Sequence, residues 1–397
     1  MLEDGAARAV GRALVVSAAL GIAVPLALSV AQLETAIGLA CGVGLLLLVC
    51  APALAVQRAA WARRAGRGCA LAGLAALALV IARAPAGHGD AASGLTSRFL
   101  PGHEYARWSP ANLLPELDQL ALEHTVLRPL IQRTFGDVYI GCMTYQLPVQ
   151  REIHARPEWR ELGSSGMHEG WADVVARLRG EAPPAPSHWY QYVPPHRAGE
   201  RLPVIVFFHG FGCNAKTDLW CWKPIADRLH CALIHPSMGF GMLDTARATA
   251  LEPFLPVWRA DPDLDWTRAY VGGLSNGAVR AALAAADRPG LWRGVILLSP
   301  VYQAVAACGM PVWHNDRPLD PSAYPPVLAI MGGQDPLLSA PWLEERRTQL
   351  AQRGVSLTTT VYADMDHYVN FRARDRYEKD VEDWVAAVES GRIKRGR

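Results

Sequence analysis

Gly273-x-Ser275-x-Gly277 is the stretch in which residue types and spacing point most directly to chemistry. An apolar, β-prone run, Ala269-Tyr270-Val271-Gly272, leads into it, and an Ala-rich, helix-forming run from Val279 to Ala286 leads out. A strand that ends, a sharp turn with a serine at its apex and a helix that begins at once present the hydroxyl at the top of the turn. The helix start aims unpaired N–H groups toward negative charge developing beside Ser275. A serine hydroxyl is a poor nucleophile at neutral pH and needs a base, which in turn needs an orienting acid. Downstream, Gly332-Gly333-Gln334-Asp335-Pro336 follows one apolar run and Asp364-Met365-Asp366-His367 follows another. The expected roles are Ser275 as nucleophile, Asp335 as acid and His367 as base. Asp364 and Asp366 are rivals for the acid, but residues beside such a histidine more often make turn or surface contacts. His314 precedes the acid and lies in a Pro-rich stretch, which argues against it as the base.

A tetrahedral intermediate also needs donors for its oxyanion. His209-Gly210-Phe211-Gly212 follows the strand-like Val204–Phe208, and a glycine-rich loop there can turn its N–H groups outward. Gly212 and its neighbours would supply donors from one side, and the N–H of Asn276, the residue after the nucleophile, from the other. His209 precedes the elbow and reads as a structural residue of that loop. Phe211, Trp220, Trp222, Tyr302, Trp313 and Tyr368 lie near these loops and are candidates to line a substrate pocket.

These residues need a scaffold, and the surrounding pattern provides one. Apolar runs at His188–Val193, Leu202–Phe208, Cys231–His235, Ala269–Leu274, Gly294–Ser299, Val327–Met331 and Thr358–Tyr362 read as strands. The first two are joined by a turn containing Pro194, Pro195 and Gly199. Helical runs lie between the later strands, including Trp342–Gln352 and Arg374–Val388. Such alternation predicts an α/β domain over 188–397 with a mostly parallel sheet covered on both faces. Catalytic groups in such a sheet belong at the carboxyl ends of the strands, where every candidate falls. Residues 88–187 form a linker and a mostly helical extension: a polar linker over 88–112, a helical stripe over Leu113–Phe135, a strand over Val138–Pro148 and a short helix over Trp171–Leu178.

Residues 1–87 differ in kind. Ala13–Ala31 and 36–56 are uncharged apolar runs long enough to cross a bilayer, and Gly68–Ala82 is a shorter third. The third spans if Arg67 and Arg83 snorkel and Ala84-Pro85-Ala86 sit in the interface. Arg8 and Arg12 precede the first run, residues 32–35 carry no basic residue, and Arg58, Arg63, Arg64 and Arg67 fill the second connection. The positive-inside rule then puts the N-terminus in the cytoplasm and, with three spans, the large domain on the outer side, the periplasm in a double-membraned bacterium. The expected partners are the lipid bilayer and a small-molecule or lipid-like acyl substrate. A net charge of +2 leaves no footprint for nucleic acid. Eight cysteines without a C-x-x-C pair argue against a zinc or redox site, so neither metal nor cofactor is expected. In an exported domain Cys213 and Cys221 are the pair expected to oxidise.

From about His188 onward the chain resembles the α/β-hydrolase superfamily. Ala260-Asp261-Pro262-Asp263-Leu264-Asp265-Trp266-Thr267-Arg268 with Ser275-Asn276-Gly277 is similar to esterases of the polyhydroxybutyrate-depolymerase and feruloyl-esterase type, and to dienelactone-hydrolase-like and prolyl-oligopeptidase-like catalytic domains. The resemblance implies Ser275 as nucleophile, Asp335 as acid, His367 as base and Phe211 with Asn276 as oxyanion donors. It specifies a triad better than a substrate. The membrane-spanning start departs from the secreted-esterase pattern, and the Tyr302–Tyr324 insertion is short for a large lid. The expected activity is cleavage of carboxylic esters through an acyl-enzyme. Peptide hydrolysis, acyl transfer to another acceptor, or a membrane-bound scaffold that has lost turnover are the alternatives.

Overall fold

The computed structural model describes residues 35–105, 128–164, 169–211, 214–238, 251–301 and 324–395. Positions 56, 58, 170, 183 and 353 within those ranges are excepted, and a few positions before residue 35 are included. The chain begins with two long helices, α1 (Ala36–Ala55) and α2 (Ala60–Ala82). Two short strands follow, β1 (Gly89–Asp90) and β2 (Leu95–Phe99), then helices α3 (Arg128–His154) and α4 (Trp171–Leu178). The rest alternates: β3 (His188–Tyr192), β4 (Leu202–Phe208), α5 (Ala215–Leu229), β5 (Ala232–Pro236), β6 (Leu264–Leu274), α6 (Asn276–Asp287) and β7 (Gly294–Leu298). It closes with β8 (Val327–Gly332), α7 (Ala340–Gln352), β9 (Leu357–Tyr362) and α8 (Arg374–Glu389).

All nine strands form one sheet in the order β1-β2-β3-β5-β4-β6-β7-β8-β9. From β5 to β9 every neighbouring pair is parallel, while β1, β2 and β3 run antiparallel to their neighbours. The alternating side chains of β4 show how the core divides. Val204, Val206 and Phe208 face a cluster that includes Ala278, Ala281 and Ala282 of α6 and Leu343 of α7. Ile205 and Phe207 face the opposite cluster, with Leu219 and Trp222 of α5 and Tyr377, Val381 and Trp384 of α8.

The structure corrects three expectations. Residues 88–112 are not a plain linker, because β2 pairs residue for residue with β3 from Leu95↔Tyr192 to Phe99↔His188. Val138–Pro148 is not a strand but the middle of α3, whose 27 residues carry the β-prone run through. Cys221 is a free, buried thiol, so the structure does not pair it with Cys213, which lies outside the described residues.

The apolar start also differs in detail. The run over 13–31 lies largely outside the described residues. The second expected span corresponds to α1. The third is longer than its apolar core, because the helix takes in Arg63, Arg64 and Arg67 and reaches 23 residues, about 35 Å at 1.5 Å per residue. α1 and α2 pack against each other through small residues, with Gly44 against Gly73 and Ala76, and Gly66 against Ala51 and Ala55. Val80 and Cys41 are buried in this contact with Ile37, Leu45 and Leu77 packed on them, while Leu39, Val43, Leu46, Leu71, Leu74, Leu79 and Ile81 are exposed.

Candidate active site

β6 delivers Ser275 to the carboxyl end of the sheet. The residue sits at φ 55° and ψ −117°, a conformation that non-glycine residues seldom adopt. The turn is held on both sides, by the Ser275 amide donating to the Leu298 carbonyl of β7 at 2.8 Å and by the Ala278 amide donating back to the Ser275 carbonyl at 3.1 Å. The flanking glycines have a steric reason. A Cβ on Gly273 would stand 2.2 Å from the Gly277 carbonyl, and one on Gly277 would stand 2.1 Å from the Phe208 carbonyl oxygen. No side chain fits either place, so β6, α6 and the end of β4 close on one another only with glycine there.

β8 and β9 bring the other two groups. His367 Nε2 lies 2.9 Å from Ser275 Oγ, and His367 Nδ1 lies 2.7 Å from Asp335 Oδ2. Asp335 is held from its other oxygen, where Oδ1 accepts from the Leu337 amide at 2.8 Å. With the carboxylate accepting, Nδ1 carries the proton and Nε2 faces the serine as an acceptor. The exposures complete the picture: Asp335 and His367 are buried, while Ser275 is half-buried and presents its hydroxyl. Asp364 does not approach His367; it makes an exposed ion pair with Arg376. Asp366 pairs with Arg372 and caps the Tyr368 amide.

Asn276 is the first residue of α6, so its amide has no partner inside the helix. Phe211 opens the turn that leads from β4 to α5 and is half-buried; Gly212 lies outside the described residues. His209 serves the loop. Its Nε2 accepts from the Met238 amide at 3.1 Å, which leaves Nδ1 to donate to the Gly210 carbonyl at 2.9 Å. Burial, with the Arg280 guanidinium nearby, holds its pKa down to about 4, so the ring is neutral at pH 7 and ties β4 to β5.

The candidate pocket aromatics separate. Tyr368 meets the His367 ring edge-on, with centroids 5.3 Å apart. Trp222 does not line the site: it is fully buried in the core, 4.3 Å from Phe207 and 6.3 Å from Tyr377 between ring centroids. A tryptophan on the inner face of a helix that packs on the sheet is core whatever the function. Trp220 meets Trp159 edge-on at 4.9 Å and carries the Arg156 guanidinium 4.7 Å above its ring, so it joins α5 to the segment after α3. Tyr302, Trp313 and His314 lie outside the described residues.

Asp261 in the motif before β6 holds strands together. Its buried carboxylate accepts from Arg98 at 2.8 Å and Gln191 at 3.0 Å, which ties β2 and β3 to the start of β6. Neither contact was visible in the sequence, because both partners lie outside the motif. Among the described residues no group of three or more His, Cys, Asp and Glu side chains could hold a metal ion.

No family model and no curated protein matches the chain. Solved structures do. A hyperthermophilic esterase from the archaeon Pyrobaculum calidifontis is 17% identical, with a TM-score of 0.44 over 68% of this chain and 98% of that one. An S-formylglutathione hydrolase from Agrobacterium tumefaciens is 18% identical, with a TM-score of 0.41 over 50% of this chain and 88% of its own. FphF, a fluorophosphonate-binding serine hydrolase of Staphylococcus aureus, is 14% identical, with a TM-score of 0.40 over 51% and 91%. The mostly parallel sheet, with a sharp turn at Ser275 between β6 and α6, agrees with the arrangement that the α/β-hydrolase resemblance of the sequence implies. At these scores the neighbours assign neither a residue nor a substrate to this chain.

Proposed function

We propose that the protein is a membrane-anchored serine hydrolase that cleaves carboxylic esters on the outer side of the bilayer. The observation that carries this reading is His367 standing between Ser275 and Asp335 at 2.9 and 2.7 Å, with Ser275 raised on a strained turn. In the reaction Ser275 Oγ attacks the ester carbonyl as its proton passes to His367 Nε2. The carbonyl oxygen becomes an oxyanion, received by the Asn276 amide from one side and by the Phe211–Gly212 turn from the other. The intermediate collapses, the alkoxide leaves with the proton from His367, and the acyl group remains on Ser275. Water, deprotonated by His367, then attacks the acyl carbon, and the carboxylic acid leaves as Ser275 regains its proton. Asp335 orients the imidazole and stabilises the imidazolium in both halves.

Two observations support the anchor. α1 and α2 are long enough to cross a hydrocarbon core. They also leave Leu39, Val43, Leu46, Leu71, Leu74, Leu79 and Ile81 exposed while glycines and alanines bring the two helices close, which suits an apolar surrounding. The outer placement follows from the arginine asymmetry of the sequence. An enzyme held there would meet small or lipid-like acyl esters at the membrane surface.

Ser275→Ala is the decisive variant. It is expected to abolish labelling by a fluorophosphonate probe and to lower ester hydrolysis by several orders of magnitude, about 10⁴-fold or more. Full activity of Ser275→Ala on an ester that the wild type cleaves would overturn the mechanism. An alkaline-phosphatase fusion after residue 90 is expected to be active, and an inactive one beside a fluorescent cytoplasmic reporter would overturn the topology.

A further inference from the structure

The loop that carries His367 is closed from outside the sheet by α3, and the contact is made of specific side chains. Asp366, the neighbour of the histidine, accepts from the Tyr368 amide at 3.0 Å through Oδ1. Its Oδ2 receives Arg372 at 2.8 Å and, from α3, the Tyr145 hydroxyl at 3.5 Å. The Arg372 guanidinium lies 5.5 Å from the centre of the Tyr145 ring, close enough for cation–π attraction. Tyr145 in turn lies 5.5 Å from Tyr368, whose own ring meets that of His367 at 5.3 Å. One turn earlier on α3, Gly141 lets the helix come close: a Cβ there would stand 2.8 Å from the Tyr368 ring.

We infer that Asp366 and Tyr145 are positioning residues for His367, and that α3 is the outer wall against which the catalytic loop is set. The inference rests on the serine-hydrolase reading of the site. Asp335 and Ser275 hold the imidazole through its two nitrogens, but these two contacts leave the ring free to rock about the line that joins them. Tyr368 restrains the ring from its side, and Tyr368 is held by Asp366 through the backbone and by Tyr145 and Gly141 through packing. Asp366 thereby has a use other than triad acid, and the extension before the α/β domain gains a part in catalysis. Asp364 and Arg376 form the second ion pair of the same loop but touch neither Tyr368 nor α3 in any such contact, with N–O distances of 2.8 and 2.9 Å at the exposed surface.

The rate constant for labelling Ser275 with a small fluorophosphonate reads nucleophile activation without substrate binding, and ester hydrolysis on the full-length chain in detergent gives kcat and KM. Asp366→Asn and Tyr145→Ala are each expected to slow labelling and lower kcat by about 10- to 100-fold, the scale on which a misplaced catalytic group is felt. KM should stay within about twofold, since loss confined to the transition state lowers kcat and kcat/KM together. Tyr145→Phe keeps the ring and should recover most of the rate, and Asp364→Asn should label like the wild type. Circular dichroism melts identify variants that label slowly through unfolding. Wild-type labelling rates in both folded Asp366→Asn and folded Tyr145→Ala would overturn the inference, as would equal slowing by Asp364→Asn. A wild-type chain that does not label at all would overturn the hydrolase reading itself, and this inference with it.

Discussion

Gly277→Ala tests whether the elbow glycines set the distance between the two arms of the oxyanion site. Asn276, the donor on one arm, immediately precedes Gly277, and the other arm leaves β4 through Phe208 and His209. An alanine Cβ would stand 2.1 Å from the Phe208 carbonyl oxygen and 2.6 Å from that of His209. Both obstacles are backbone, so no side-chain rotation relieves them. Restoring ordinary contact at 3.4 Å from 2.1 Å requires α6 and the end of β4 to part by about 1.3 Å. A displacement of about 1 Å at a reacting centre costs about 10²-fold in rate, and forcing a methyl into a packed site costs about 1–3 kcal/mol of stability. The expected outcome is a folded chain that melts several degrees lower, binds ester with little change in KM and labels with fluorophosphonate about 100-fold more slowly. Gly277→Ala with wild-type labelling and kcat would refute the reasoning, because the clash could then relax without moving either arm.

Two further outcomes follow from burial. His209 and His235 are held neutral by burial, with pKa values lowered from 6.5 to about 4 and about 3. Each would take up a proton near pH 6.5 only on unfolding, so their contribution is complete above that pH and is lost as pH falls toward the folded values. Between pH 7 and pH 5 the loss is about 2 kcal/mol for each, to be read as a drop in denaturant midpoint that His209→Gln should reduce. Trp222→Ala should destabilise by about 3–5 kcal/mol as a core truncation, with KM unchanged in the folded fraction; a selective rise in KM would place Trp222 at the substrate after all.

The central parallel strands were legible because β4, β5, β7 and β8 are continuous apolar runs, buried on both faces, whereas β9 carries three threonines and is only half-buried. Leu202–Phe208 and Val327–Met331 can hardly be read otherwise. The residues proposed as a triad stood out through the same strands, since Ser275, Asp335 and His367 each come within a few residues of a strand end. β2 was not: Leu-Thr-Ser-Arg-Phe carries little apolar signal, and its place comes from pairing with β3 nearly a hundred residues on. Val138-Tyr139-Ile140 misled in the other direction. β-branched and aromatic residues suggest a strand locally, but the helix continues through them to the buried Gln146, Gln150 and His154, spaced four apart on one face. Trp222 looked like a pocket residue only because sequence proximity to the oxyanion loop says nothing about which side of a helix a residue occupies.

The pairing of β2 with β3 bears on how a soluble form of the enzyme can be made. A fragment beginning at His188, where the recognisable pattern begins, would leave β3 as a bare edge with its outward N–H and C=O groups unpaired. It would also strip the Ser97 hydroxyl from buried His188, 2.7 Å away, and Arg98 from Asp261. Such an edge recruits strands from other molecules. A fragment that starts between Ala84 and His88 keeps β1 and β2, and from Ala84 or Pro85 it also keeps the Ala86 amide on Glu161 at 3.2 Å. It loses the Arg83 carbonyl that accepts from Arg160 at 2.6 Å. The boundary between the apolar helices and the α/β domain is therefore set by where the sheet can be cut without creating a sticky margin, about a hundred residues before the first strand of the familiar pattern.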